Sequence, residues 1–235
     1  MPDEPFTSAV VSGISGAVAL KVMPMLRTLP HLLRDPFDVN RGVVFFDGIV
    51  ETPPLRLWFD AMVHGLSARE KVELEALTRE PLDVLALSRL PEHTFGWHFA
   101  QRFESMGFDP DFHLRACPES GLALERNWIY QRFAKLHDMH HVMLGVDISP
   151  QAELALQVFL CVNTGDPVAS MFMFALPFFA TRFGGYGRTL RGSVTLGQAA
   201  RRMPNLFHFP YERHFHTPLV DVRRLAAVPD AGLPV

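Results

Sequence analysis

Between residues 135 and 159 the chain reads KLHDMHHVMLGVDISPQAELALQVF, three histidines, two aspartates and a glutamate in otherwise apolar surroundings. His137 and His141 are four apart. On a helix that spacing sets two imidazoles side by side, where both can grip one ion, the logic that also underlies HExxH sites. Asp138 lies about 60° round the helix from His141, so a short carboxylate reaches the same ion from the flank. Glu153 adds a second carboxylate if the chain reverses between the two segments. Two imidazoles with two carboxylates form a mixed nitrogen and oxygen set that suits zinc and does not exclude iron or manganese. A lone histidine at a helix interface is more often a hydrogen-bonded core residue than a ligand. His140 points toward the apolar side and reads as core or pocket wall, and Asp147 as a local cap.

The elements that must position these groups can be read from the same stretch. From about Leu124 to Leu144, at ~100° per residue, Ile129, Phe133, Leu136, His140 and Leu144 share one arc, the stripe expected to face a core. Tyr130, Ala134, His137 and His141 form the adjacent stripe. Gly145 is a natural stop, Ser149 a natural N-cap and Pro150 a good first residue for a second helix that runs to about Val162. The expectation is an antiparallel helical hairpin that returns Glu153 beside the end of the first helix.

Helical periodicity dominates the rest of the 235 residues, with no sustained alternation and no fixed repeat. The fold class expected is mainly α, a single-domain helical bundle over 1–235. VVFF at 43–46 and RGSVTL at 191–196 are β-prone, and a small hairpin near 183–197 is the one exception anticipated. Nearly half the residues (48%) are hydrophobic, enough for a sizeable core, and the tilt toward Phe (20) and Met (10) needs something to cover it. A net charge of -3 argues against a nucleic-acid binder, because phosphate neutralisation needs a basic face. Cys117 and Cys161 fit neither a disulfide framework nor a thiolate zinc site. Asp3 and Glu4 stand where a secretory signal wants positive charge, so no targeting segment is read. The most apolar run, PVASMFMFALPFFAT at 167–181, falls short of the roughly 20 residues that span a bilayer.

HDMHH, eleven further residues and Glu153 reproduce the H-D-x-x-H, eleven, E signature of the Coq-four family of ubiquinone-biosynthesis proteins, with Gly145 in the expected place between. WIYQRFAKLHD is similar to the family's approach to that signature, and LPEHTFGWHFAQRFESMGFDP resembles its L-P-x-x-T-x-G followed by a helix and a Gly turn. ELALQVF and PYERHFHTPLVDVRRLAAV also resemble family segments. The resemblance covers roughly residues 80–228; the segment 40–80 does not align. It implies a helical protein holding a divalent ion at His137, Asp138, His141 and Glu153, with an isoprenoid lipid between helices. It also implies peripheral membrane association and a place among the ubiquinone-biosynthesis proteins. The reactions implied are C1 decarboxylation and hydroxylation of a prenylated 4-hydroxybenzoate-derived precursor, or organisation of the other enzymes. Lacking a mitochondrial transit peptide, the chain reads as a bacterial, cytoplasmic member attached peripherally to the inner membrane.

The composition agrees with a lipid ligand, because Met and Phe make adaptable apolar walls. Met171, Phe172, Phe174 and Phe178 are the candidate groove residues, with Pro177 as the kink that opens it. His140 and Tyr130 are the candidate proton-transfer residues, each equally at home in packing. Arg182, Arg188, Arg191, Arg201 and Arg202 follow the apolar run and could meet anionic lipid head groups. The partners expected are a prenylated quinone precursor or other isoprenoid lipid, other ubiquinone-biosynthesis proteins, the membrane surface and further copies of the chain. Two other functions stand beside the decarboxylase: a non-catalytic lipid-binding organiser with a structural ion, and a phosphohydrolase of the HD type. The last leaves Glu153 and the Met/Phe-rich run unexplained.

Overall fold

Helical spacing of the buried positions dictates the architecture. In the computed structural model the described residues are 52–106, 128–167 and 184–233, with 26–32, 34, 41, 44, 45, 169, 170 and 173. They form α1 (Pro53–Met62), α2 (Ala68–Arg79), α3 (Val84–Leu87), α4 (Phe95–Met106), α5 (Trp128–Leu144), α6 (Pro150–Asn163), α7 (Tyr186–Ala200) and α8 (Leu219–Leu225), with 3-10 turns at Leu206–His208 and Tyr211–His214. Among the described residues there is no strand, and one antiparallel bridge pairs Thr94 with Pro218. The chain divides into two compact units, Met1–Ala61 with Arg115–Asn127, and Met62–Leu114 with Trp128–Val235. The first contributes most of α1; the second contains α2 to α8.

In the second unit α5 is the hub, packed by α2, α4, α8 and the Leu206–His208 turn. The expected stripe of Ile129, Phe133, Leu136, His140 and Leu144 is buried, and so are Gln131, Arg132, Lys135 and His141 on other faces. A helix enclosed on so many sides must satisfy its polar groups inside the protein. Arg132 does so by donating from Nε to the Phe207 carbonyl (2.8 Å) and from Nη2 to the Phe209 carbonyl (2.7 Å). Lys135 Nζ donates to the carbonyls of Leu77 (2.5 Å) and Glu80 (2.8 Å), where α2 ends. Glu212 stands against both cations, its Oε1 at 3.3 Å from Arg132 and 3.5 Å from Lys135.

The LPEHTFG segment starts α4 and docks it. Thr94 Oγ1 accepts from the Trp97 amide at 3.3 Å, an N-cap, while the amides of Phe95 and Gly96 donate to the Thr217 and Phe215 carbonyls, both at 2.9 Å. A Cβ on Gly96 would sit 2.8 Å from the Phe215 oxygen, so only glycine lets the chains approach this closely.

α5 ends at Gly145, whose φ of 69° is left-handed. The Val146 amide donates to the His141 carbonyl (3.0 Å) and the Gly145 amide to that of Val142 (3.3 Å), the Schellman pattern. Arg223 covers two further end carbonyls, Met143 at 2.9 Å and Val142 at 3.0 Å. Ser149 then caps α6 through the Ala152 amide, with Pro150 in the first helical position. Both ends of the expected hairpin are therefore where sequence signals put them.

α6 packs along α7 and not back along α5, which corrects the expected antiparallel helical hairpin: the turn brings the first residues of α6 to the end of α5 without laying the two helices side by side. The expected β-hairpin near 183–197 is corrected as well: Gly184 and Gly185, both with left-handed φ, turn the chain directly into a helix. Thr189, Gly192, Ser193, Leu196 and Ala200 are its buried residues, spaced for a helix, and that burial outweighs the β-propensity of the SVT stretch. Val44 and Phe45 of the other β-prone run are helical too. The candidate groove residues Met171, Phe172, Phe174 and Phe178, together with Pro177 and Arg182, lie outside the described residues.

Candidate metal centre

His137, His141 and Glu153 meet where α5 ends and α6 begins, with Asp138 beside the two imidazoles. His141 is fully enclosed, Glu153 has 18% of its side-chain surface exposed and His137 30%, so the cluster opens to solvent on the His137 side. Glu153 spans both rings, with Oε1 at 2.9 Å from His141 Nε2 and Oε2 at 3.2 Å from His137 Nε2. The two Nε2 atoms are 3.3 Å apart. A ligand atom from each of His137, Asp138 and His141 lies within 4.8 Å of the others. The i,i+4 spacing sets the imidazole pair, and the capped turn after Gly145 returns Glu153 to it.

The backbone orients the innermost ring. His141 Nδ1–H donates to the Val146 carbonyl at 3.2 Å, which turns Nε2 toward His137 and Glu153. Burial disfavours the charged form of His137, but the hydrogen bond to Glu153 and that carboxylate's charge prevail and raise it to about 9. Burial would raise Glu153, but its bonds to the two imidazoles hold it well below the usual carboxylate range. Two imidazole nitrogens bridged by one carboxylate, with a second carboxylate alongside the pair, make a donor set that a borderline divalent cation such as zinc would satisfy.

His140 is 1% exposed and lies between Phe159 and Tyr211, with ring centroids at 6.1 and 5.6 Å. Burial, with His137 and His141 alongside, pushes its pKa down to about 3 against the opposing pull of the Leu136 carbonyl, and neither ring nitrogen makes a well-formed hydrogen bond among the described residues. Tyr130 is buried two turns before His137, roughly 10 Å along the helix. Asp147 accepts from the Ser149 amide at 2.7 Å, the local cap expected of it. Spacing does not single out Arg102: it lies on α4, 44 residues before Val146, and donates from Nη1 to the same Val146 carbonyl at 3.3 Å.

Comparison with known proteins places the chain among relatives. The family profile described as "Coenzyme Q (ubiquinone) biosynthesis protein Coq4" matches residues 65–231. The mitochondrial ubiquinone biosynthesis protein COQ4 of Meyerozyma guilliermondii is 28% identical over 180 residues, 72% of this chain and 55% of that protein. Its counterpart in Pyrenophora tritici-repentis is 31% identical over 99 residues, 42% of this chain and 34% of that one. The chain thus spans about half the length, or less, of these curated relatives. A crystal structure of a Nostoc punctiforme protein superposes with a TM-score of 0.67 at 17% identity, covering 88% of this chain and 95% of that one, a likeness that bears on the fold alone.

Proposed function

The chain belongs to the Coq4 family of coenzyme Q (ubiquinone) biosynthesis proteins, and on that footing we propose that it is a metal-dependent C1 decarboxylase-hydroxylase of ubiquinone synthesis, acting on a prenylated 4-hydroxybenzoate-derived precursor. The observation that carries this reading is the convergence of His137, His141 and Glu153 at 2.9 to 3.3 Å, with Asp138 alongside. These four residues would hold the ion, most readily zinc, with iron or manganese as alternatives. When bound, such an ion supplies Lewis acidity and a template for a carboxylate beside a phenolic oxygen.

The protein's own residues supply the rest. Val146 fixes the His141 ring through its carbonyl. The exposed edge of His137 marks where a polar head group approaches. His140, neutral and enclosed, is a wall of the site, and it or Tyr130 would carry a proton only if the interior opens. The prenyl tail is assigned to the Met171, Phe172, Phe174 and Phe178 segment, where each CH2 taken from water contributes roughly 0.8 kcal/mol.

Peripheral membrane contact belongs to the same reading. No helix among the described residues is long and apolar enough to cross a bilayer. α7 instead exposes Tyr186, Leu190 and Val194 at four-residue spacing, each about half exposed, with Arg188 and Arg191 also exposed on it and Arg201 and Arg202 exposed just past its end. Exposed apolar side chains together with basic ones are what an interfacial helix presents to anionic lipid.

The second reading is an organiser of the other biosynthetic proteins, in which a structural ion fastens the α5–α6 corner. What favours it is that four protein donors would leave a bound ion without an open position for substrate. One experiment separates the two. The purified protein is analysed for bound metal and incubated with a prenylated 4-hydroxybenzoate with and without oxygen, following CO2 by mass spectrometry. Oxygen-dependent release abolished by His137→Ala supports the enzyme; bound metal and lipid without turnover supports the organiser.

A further inference from the structure

The Val146 peptide embraces His141 from both sides. Its amide donates to the His141 carbonyl and its carbonyl accepts from the His141 ring. The second lone pair of that carbonyl takes Arg102 Nη1, the tie that runs from α4 to the turn between α5 and α6. Around the turn, the Val146 side chain is buried while Gly145, Asp147 and Ile148 are exposed, so the loop is gripped at one residue. Burial disfavours the charge on Arg102, and the carboxylates of Asp138, Glu153 and Asp147 act to restore it. A guanidinium placed there offsets the mutual repulsion of Asp138 and Glu153, the two groups that must stand close together to share a cation.

We propose that Arg102 is a positioning residue of the metal centre: it holds the Val146 carbonyl against His141, fixing the ring with Nε2 directed at the ion, and balances the charge of the two carboxylate donors. This rests on the metal-binding reading above. It predicts that the centre depends on a residue of α4, outside the α5–α6 segment that carries every donor. A lysine cannot reproduce the role in full, because the forked, planar guanidinium is what reaches a backbone carbonyl while lying among carboxylates.

The test is titration of cobalt(II), then of zinc against a chelator of known affinity, into the full-length wild type, Arg102→Met and Arg102→Lys, recording the visible cobalt spectrum and the circular dichroism of each protein. Expected are one cobalt per chain in the wild type, affinity weaker by roughly 10- to 100-fold in Arg102→Met, and a shifted cobalt spectrum even at saturation, the size of effect that loss of an outer-shell partner produces. Arg102→Lys should fall between. Wild-type affinity and spectrum in Arg102→Met overturn the role. So does tighter binding, since Arg102 would then act only as a repelling charge. Should Arg102→Met fail to fold, Arg102→Lys decides: indistinguishable from wild type overturns, several-fold weaker with an altered spectrum supports. A wild type that takes up neither ion sinks the metal reading itself, a result distinct from a normal wild type with normal variants.

Discussion

At the scale of single residues, the ion pair between His137 and Glu153 makes the centre responsive to pH in two opposed ways. In protein stripped of metal, the His137 value of about 9 lies above the ordinary 6.5. Its stabilising contribution is therefore complete below pH 6.5 and lost as pH climbs through 9. Glu153 is depressed from 4.5, so its contribution is present above pH 4.5 and lost as acid protonates it. Stripped protein should draw most from this pair between pH 4.5 and 6.5, and Glu153→Gln should flatten the melting profile across that window. Metal binding runs the other way, since the ion must displace the His137 proton. Zinc affinity should rise about tenfold per pH unit up to about pH 9, measured by chelator competition at three pH values; a flat profile would mean that His137 is already neutral. His140 behaves differently. Its two nitrogens are buried with no well-formed hydrogen bond among the described residues, only the Leu136 carbonyl drawing on one of them, so His140→Leu removes a poorly met demand and should raise stability by about 1 kcal/mol with metal stoichiometry unchanged. Loss of metal would make it a ligand after all. Spacing foresaw that His137, His141 and Glu153 come together because they lie on consecutive helices joined by one short turn. Arg102 escaped, because nothing in a sequence says which distant side chain a loop carbonyl will accept.

At the scale of elements, what was legible was what local signals decide. Gly145, Ser149 and Pro150 marked the end of α5 and the start of α6 through a left-handed turn, a side-chain cap and a fixed φ, all of them short-range. α7 was misread as β-prone because its burial comes from packing on α6, which no propensity contains. The buried charges of α5 were likewise invisible to a stripe analysis: Arg132 and Lys135 lie on faces that would be solvated had α2 and the 207–212 segment not closed over them. Their shared partner makes a prediction. Glu212 is 5% exposed and both cations 0%, so Glu212→Gln removes the carboxylate that the two enclosed positive charges share. Their carbonyl partners remain, which places the expected loss near the low end for breaking a buried pair, about 3 kcal/mol. Urea unfolding measures it. A loss under roughly 1 kcal/mol would show that the carbonyls alone suffice and that Glu212 is an onlooker.

For the whole molecule, membership of the family rests on 65–231, most of it within the second compact unit, where the candidate centre, the LPEHTFG docking and α7 all lie. The exposed side of α7 is where a lipid-handling reading meets a test independent of metal. Tyr186, Leu190 and Val194 would enter the head-group boundary while Arg188, Arg191, Arg201 and Arg202 meet its charge. Near an anionic leaflet each arginine contributes about 1 kcal/mol, and the attraction decays within a Debye length. Changing all four to glutamine should therefore weaken sedimentation with phosphatidylserine-containing vesicles by roughly two to three orders of magnitude. It should leave the circular dichroism and zinc stoichiometry intact, because these side chains are exposed and remote in sequence from the donors. Binding of the wild type should also fall as salt rises from 50 to 300 mM. Equal binding to neutral and anionic vesicles would leave the apolar stripe as the sole attraction; no binding to either would retire α7 as the membrane face and return the search for it to the Met171–Phe178 segment.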